Sequence, residues 1–100
     1  MTNKYMYFIA NWKMFGDLRT LNSLDKVIKF SKTIKKKIKL IYCPPNTLIR
    51  PMSKRLQKTK IEVGAQNCHA SDNYGAYTGS VNSKMLKNVG AKYILSLIHI

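Results

Sequence analysis

Acidic residues are the scarcest chemical class in this chain. Four Asp and Glu face eighteen Lys and Arg across 100 residues, which gives a formal net charge of +14. Such a balance is typical of proteins that bind nucleic acid or anionic membranes. No zinc-finger, RNP-like or helix-turn-helix pattern accompanies it, and the only tight basic run is Lys35 to Lys37. We therefore predict a lysine-coated surface with no nucleic-acid and no membrane partner, whose positive field could attract a phosphorylated substrate.

Long apolar runs, glycine, proline and cysteine are scarce as well. Five Gly and three Pro exclude a collagen-like or low-complexity chain. The first apolar run, residues 5–10, is too short for a membrane span or a signal peptide, so we expect a cytoplasmic protein. Cys43 and Cys68 show no CxxC and no metal-type spacing. Two reduced thiols near the core are expected, with no bound metal and no cofactor.

Short apolar runs alternate with segments of helical periodicity. Residues 5–10, 38–43, 61–65 and 93–95 predict four strands, the first of them buried. The intervening segments carry apolar side chains at helical spacing, which predicts three amphipathic helices, the third preceded by a long loop. The order β-α-β-α-β-α-β is typical of a single α/β domain with a parallel sheet. This pattern does not choose between a barrel and a doubly wound sheet.

Local signals mark the ends of the predicted helices. Asp17 can cap the first helix, and Asn46 or Thr47 can cap the second. Gly90 occupies the position at which the third helix should end in the left-handed backbone region.

Polar residues at the ends of the predicted strands are the candidates for chemistry, because parallel α/β folds bind ligands outside the carboxyl ends of their strands. Asn11 and Lys13 follow the first strand, and Gln66 and Asn67 follow the third. A lysine held there can bind phosphate or stabilise an enediolate, or it can simply extend into solvent. Asn11 could hold a substrate hydroxyl, orient Lys13, or satisfy turn backbone groups. No GxGxxG or GxxxxGK[ST] loop follows the first strand, which weakens a nucleotide-binding interpretation.

The long loop between the third strand and the third helix offers weaker candidates. His69 lies beside Cys68 without a carboxylate at triad or metal spacing, so a surface histidine is expected. Asp72 is typical of a turn. Tyr74 and Tyr77 could anchor a partner chain or pack the loop on itself.

Several segments together resemble the triose-phosphate isomerase family, in order and with natural spacing over about residues 4–95. The segments are Asn11-Trp12-Lys13-Met14, Cys43-Pro44-Pro45, residues 63–67 (VGAQN), residues 75–79 (GAYTG), residues 85–87 (MLK) and residues 90–95 (GAKYIL). The resemblance implies an α/β fold, the N-terminal part of a (β/α)8 barrel of about 250 residues. Residues 1–100 are then expected to form one partial barrel that stops after the fourth strand.

The same resemblance implies the chemistry. Members interconvert dihydroxyacetone phosphate and glyceraldehyde 3-phosphate through an enediolate, without a cofactor. Asn11 and Lys13 would contact this phosphorylated triose, with Lys13 as the electrostatic catalytic residue.

The resemblance also implies a homodimer. Thr78 would reach into the partner subunit, and Gln66, Tyr77 and Gly79 would shape the dimer-interface loop. Ser80 stands where many members carry Glu, so one intersubunit ion pair is in doubt.

The resemblance ends after the fourth strand. The family continues Gly-His-Ser-Glu-Arg-Arg, whereas this chain continues from Ser96 with Leu97 at the position of the electrophilic histidine and His99 two positions late. The glutamate base of the family falls beyond residue 100. We therefore predict no isomerase turnover by this polypeptide alone. Two alternatives stay open: a small basic nucleic-acid-binding module, and a non-catalytic half-barrel that assembles with another chain.

Overall fold

Four parallel strands form the centre of the molecule in a computed structural model that describes residues 4–96. They are β1 (Met6–Asn11), β2 (Ile38–Cys43), β3 (Ile61–Asn67) and β4 (Tyr93–Ser96). The spatial order is β1-β2-β3-β4, so each strand pairs with its neighbour along the chain. The predicted β-α-β-α-β-α-β order is confirmed, and β3 runs two residues further than predicted.

Three short helices connect the strands: α1 (Leu24–Ser31), α2 (Ile49–Arg55) and α3 (Ser83–Asn88). A 3-10 segment, Leu18–Ser23, precedes α1, and another, Asn46–Leu48, precedes α2. No described helix has the length and apolar character needed to cross a bilayer.

The predicted helix ends are partly confirmed. Asp17 forms a reciprocal capping box with Thr20, in which the Asp17 carboxylate accepts from the Thr20 amide at 3.1 Å. Gly90 has a φ of 113°, as predicted. The predicted cap of the second helix is wrong: Pro45 occupies the capping position and forms no side-chain cap, because Asn46 already belongs to the 3-10 segment.

The main core lies between the helices and the outer face of the sheet. Its buried members come from the three helices, the 3-10 segment before α1, β3 and the residues that follow α2, α3 and β3: Leu21, Leu24, Ile49, Met52, Leu56, Ile61, Val63, Ala65, Cys68, Leu86 and Ala91. Fully burying one such aliphatic side chain contributes about 1.5–3 kcal/mol. On β2, Ile41 and Cys43 are buried outside this cluster, so the sheet also buries side chains on its inner face.

The sheet curls strongly. In a flat sheet the first and fourth strands stand about 14 Å apart, three spacings of about 4.8 Å. Here Tyr7 of β1 and Tyr93 of β4 meet edge to face, with ring centroids 6.5 Å apart. The inner faces of the two outer strands therefore converge, as in half of a barrel.

The prediction that the first strand is buried is wrong. The side chains of residues 5–9 are between 48% and 61% exposed. The physical reason is that β1 hydrogen-bonds only to β2, and within residues 4–96 no strand pairs with its other edge. β4 likewise pairs only with β3, so the curled sheet has two open edges.

Candidate functional site

The carboxyl ends of the first three strands meet at one edge of the sheet. Asn11, the last residue of β1, is in register with Cys43, the last residue of β2. The Trp12 amide extends this pairing by donating to the Cys43 carbonyl at 3.0 Å. Gln66, near the end of β3, donates to the same carbonyl at 3.0 Å. Lys13 therefore follows β1 at the carboxyl edge of the sheet, where parallel α/β folds bind ligands.

The backbone of Lys13 is in the left-handed region, with a φ of 58°. For a residue with a Cβ this conformation costs about 1–2 kcal/mol. Two side chains hold it there: the Asn11 Oδ1 accepts from the Lys13 amide at 2.8 Å, and the Gln66 Nε2 donates to the Lys13 carbonyl at 2.7 Å. Since both backbone polar groups of Lys13 are fixed, its side chain leaves the sheet in a defined direction.

The charge of Lys13 is available to a ligand. Its side chain is exposed, and no carboxylate within residues 4–96 lies at ion-pair distance from it. Asp17, the acidic residue next along the chain, is engaged with Thr20. Asn11 uses its Oδ1 on Lys13, which leaves its amide N–H groups free of partners among the described residues. The edge therefore offers one ammonium group and one amide donor to an anionic oxygen.

Aromatic packing fixes the loop that carries Lys13. Trp12 meets Phe15 and Tyr42 edge to face, each with a centroid distance of 6.4 Å. Gly16 adopts a φ of 114°, and a Cβ there would approach the Trp12 ring and Leu48 at 3.1 Å. Only glycine combines this backbone conformation with so little space.

Cys43 is a structural residue of the inner face. Its thiol is fully buried, and burial raises the pKa of Cys43 above its ordinary value, partly offset by a hydrogen bond to the Gly64 backbone. A Cβ on Gly64 would lie 2.8 Å from the Cys43 sulfur, so the thiol occupies the space that glycine leaves. A buried, protonated thiol is a poor nucleophile and metal ligand.

The other loop candidates lie apart from Lys13. His69 accepts from the Ser71 amide through Nδ1 at 3.0 Å and stacks on Tyr77 at a centroid distance of 4.4 Å. Between residues 4 and 96, no group of three His, Cys, Asp or Glu side chains could hold a metal ion. His69 thus packs the loop on itself.

The residues predicted for the dimer interface lie in two different parts of the structure. Gln66 lies at the site, bound to Lys13 and Cys43. Tyr77, Thr78 and Gly79 are exposed in the long loop, and Gly79 has a φ of 80°. The loop is closed by its own backbone, since the Ser80 amide donates to the Tyr77 carbonyl at 3.1 Å.

The hydrogen bond from Gln66 to Lys13 was missed in the sequence. The sequence predicts Gln66 at the end of the third strand, and the family resemblance implies a role for it in the dimer-interface loop, but neither predicts this contact. The signal that could have found it is alternation along β3: Glu62, Gly64 and Gln66 share the inner face, and Gln66 is the one at the carboxyl end.

Comparison with known proteins gives a consistent result. The family model for triosephosphate isomerase matches residues 6–96. A triosephosphate isomerase of Afipia carboxidovorans is 36% identical over 96 residues, which cover 95% of this chain and 38% of the relative. One from Buchnera aphidicola subsp. Baizongia pistaciae is 38% identical over 92% of this chain and 37% of the relative.

Solved structures agree with the sequence comparison. The crystal structure of triosephosphate isomerase from Bartonella henselae superposes with a TM-score of 0.78 at 33% identity, over 88% of this chain and 35% of that protein. The chain thus spans less than two fifths of the length of these relatives, and its curled four-stranded sheet is about half of their barrel. The matched sequence, the shared fold and the position of Lys13 lead to one conclusion: this chain belongs to the triosephosphate isomerase family.

Proposed function

We propose that this chain supplies the substrate-binding, electrostatic part of a triosephosphate isomerase. The reaction interconverts dihydroxyacetone phosphate and glyceraldehyde 3-phosphate by moving a proton between adjacent carbons. An enediolate forms on the way, so negative charge grows on an oxygen next to a phosphorylated carbon. A fixed cation stabilises that charged oxygen more than the neutral carbonyl of the ground state, which is what accelerates the reaction.

The proposal rests on the backbone of Lys13, which two side chains hold through hydrogen bonds. Asn11 and Gln66 fix the amide and the carbonyl of a lysine in a strained conformation at the ligand-binding edge. Strain of this kind persists where the surroundings over-determine it, and it clusters at functional sites. In this proposal Lys13 binds the phosphorylated triose and stabilises the enediolate, while the Asn11 amide donates to a substrate oxygen.

The proton-transfer groups are not part of this edge. Leu97 and His99, the residues nearest the family's electrophilic histidine in sequence, lie outside the described residues. We propose that residues 1–100 act as one partial barrel that needs further strands to reach activity. Without a carboxylate base and a neutral histidine, the cation alone binds substrate and transfers no proton.

A chimera tests the proposal directly. Residues 1–95 are joined to the part of the Bartonella henselae enzyme that follows its matched segment. The expected result is an active isomerase whose kcat/KM falls by about 10²–10³ on Lys13→Met, a loss typical for one oxyanion-stabilising group. Lys32→Met, beyond the end of α1, is the matched control and should leave kcat/KM unchanged. A folded chimera without activity, or with activity indifferent to Lys13→Met, would reject the proposal.

Homodimer formation and a cytoplasmic location belong to the same proposal. The exposed loop tip supports the first, because Thr78 is exposed in a loop that is closed by its own hydrogen bonds. The phosphorylated substrate supports the second. In the chimera, Thr78→Arg should shift sedimentation from dimer to monomer, whereas Thr33→Arg, beyond α1, should not. Unchanged sedimentation of the Thr78 variant would argue against a contact at the loop tip.

A further inference from the structure

A second concave surface lies at the opposite, amino edge of the sheet. It wraps around the start of β3 and is bounded by the start of β2, the turn after α2 and the turn before β4. This open cleft has a volume of about 710 Å³, within the range of small-molecule sites. Five lysines line this amino-end cleft: Lys36, Lys39, Lys58, Lys60 and Lys92.

One carboxylate faces these five cations. The Glu62 Oε2 lies 3.2 Å from the Lys92 Nζ, and its Oε1 lies 3.6 Å from the Lys39 Nζ. Both carboxylate oxygens are therefore already engaged. The remaining three lysines, at 36, 58 and 60, have no acidic partner within the part of the chain that the structure describes. The cleft thus concentrates positive charge that the chain itself does not neutralise, and a concave wall focuses such a field.

The lining also indicates what kind of anion fits. Lysine ammonium groups bind phosphate as point charges, and Ser53 and Gln57 add hydrogen-bonding groups. No aromatic side chain is among the described residues that line the cleft. Single-stranded nucleic acid depends on aromatic platforms on which bases stack, so this lining does not favour it. The cluster of lysines in one cleft favours a compact ligand with several negative charges.

We propose that the amino-end cleft binds a small molecule carrying several phosphate groups. The ligand lies across Lys36, Lys58 and Lys60, while Glu62 engages Lys39 and Lys92. This site is independent of Lys13, which follows the carboxyl end of β1, and independent of the isomerase proposal.

Titration calorimetry of the 100-residue chain with tripolyphosphate tests the site. Tripolyphosphate should bind at least about tenfold more tightly than orthophosphate, and its affinity should fall as salt is raised. The double variant Lys58→Gln/Lys60→Gln should weaken tripolyphosphate binding at least about tenfold. The matched control Lys26→Gln/Lys29→Gln removes the same charge from the exposed face of α1 and should change affinity less than about twofold.

A second measurement does not depend on any variant. Lysine acetylation followed by mass spectrometry should show Lys58 and Lys60 protected by tripolyphosphate, with Lys26 and Lys29 unprotected. Absence of tripolyphosphate binding, or equal weakening by both double variants, would overturn the proposal. So would a single-stranded oligonucleotide that displaces tripolyphosphate and depends equally on Lys58 and Lys60, because the cleft would then be a nucleic-acid surface.

Discussion

The apolar side chains of two parallel strands have opposite environments in this molecule. On β3, Ile61, Val63 and Ala65 are at most 4% exposed, whereas the side chains of β1 are about half exposed. β3 has a neighbour at each edge and packs against α2, whereas β1 pairs with β2 alone. Apolar composition therefore determines that both segments are strands, while burial depends on what covers them. The apolar side chains of β1 suit a sheet with a further neighbour.

The largest effect on stability should come from substitutions that shorten a side chain, one beneath β3 and one on β1. Ile49→Ala, in α2 beneath β3, should lower the free energy of unfolding by about 2–5 kcal/mol. Phe8→Ala on β1 should lower it by less than about 1 kcal/mol in the chain alone, because Phe8 is already half exposed. In the chimera, where β1 gains a second neighbour, the Phe8→Ala loss should approach that of Ile49→Ala. Urea unfolding measures all four values, and a large Phe8→Ala loss in the isolated chain would contradict the comparison.

A smaller effect should come from filling the inner face of β3. Gly64→Ala should lower the free energy of unfolding by about 1–3 kcal/mol, because the added methyl group would contact the Cys43 sulfur and the Tyr93 carbonyl. Cys43→Ala should recover part of this loss by removing the sulfur. Gly79→Ala is the control: it has open space but a φ of 80°, so its loss should be independent of Cys43. Equal recovery for both glycines would show that packing against Cys43 is not the cause.

The hydrogen bond that joins β3 to Lys13, just after β1, can be removed by substituting Gln66. Gln66→Ala removes two hydrogen bonds and should lower the free energy of unfolding by about 1–2 kcal/mol. In the chimera it should also lower kcat by about ten- to a hundredfold, because Lys13 loses its fixed position. A further loss in a Lys13→Met background would contradict a role through Lys13. Gln57→Ala, at the amino end of the sheet, should leave kcat unchanged.

The smallest effect concerns β2, the strand between the two compared. Burial raises the pKa of Cys43 above the 9.0 of a free thiol, so the unfolded chain releases this proton at lower pH than the folded chain. The contribution of Cys43 is therefore complete below about pH 9 and is lost as pH rises through the higher folded pKa. As pH rises above about 9, stability should fall more steeply in the parent chain than in Cys43→Ser. Parallel curves would show that the thiol is accessible to water.

Local patterns in the sequence predicted most of the fold. The strands followed from apolar runs, the capping box from Asp17 and the end of α3 from Gly90. The failures are non-local. The side chains of β1 are exposed because no strand within residues 4–96 pairs with its outer edge. The hydrogen bond from Gln66 to Lys13 joins positions that are far apart in sequence. Asn11, Lys13 and Gln66 were all predicted at strand ends, whereas the hydrogen bond that joins Gln66 to Lys13 depends on the register of three strands.

The residues that hold the Lys13 backbone are also synthesised early. Every group that holds Lys13 lies between Asn11 and Gln66. A ribosome that adds about 5–20 residues per second completes this part of the chain within roughly the first quarter of a minute. A newly made chain can then hold the Lys13 backbone in place while later segments are still being synthesised. An anion bound by Lys13 would favour the pairing of β1, β2 and β3, because it would bind the paired strands and not the unfolded chain.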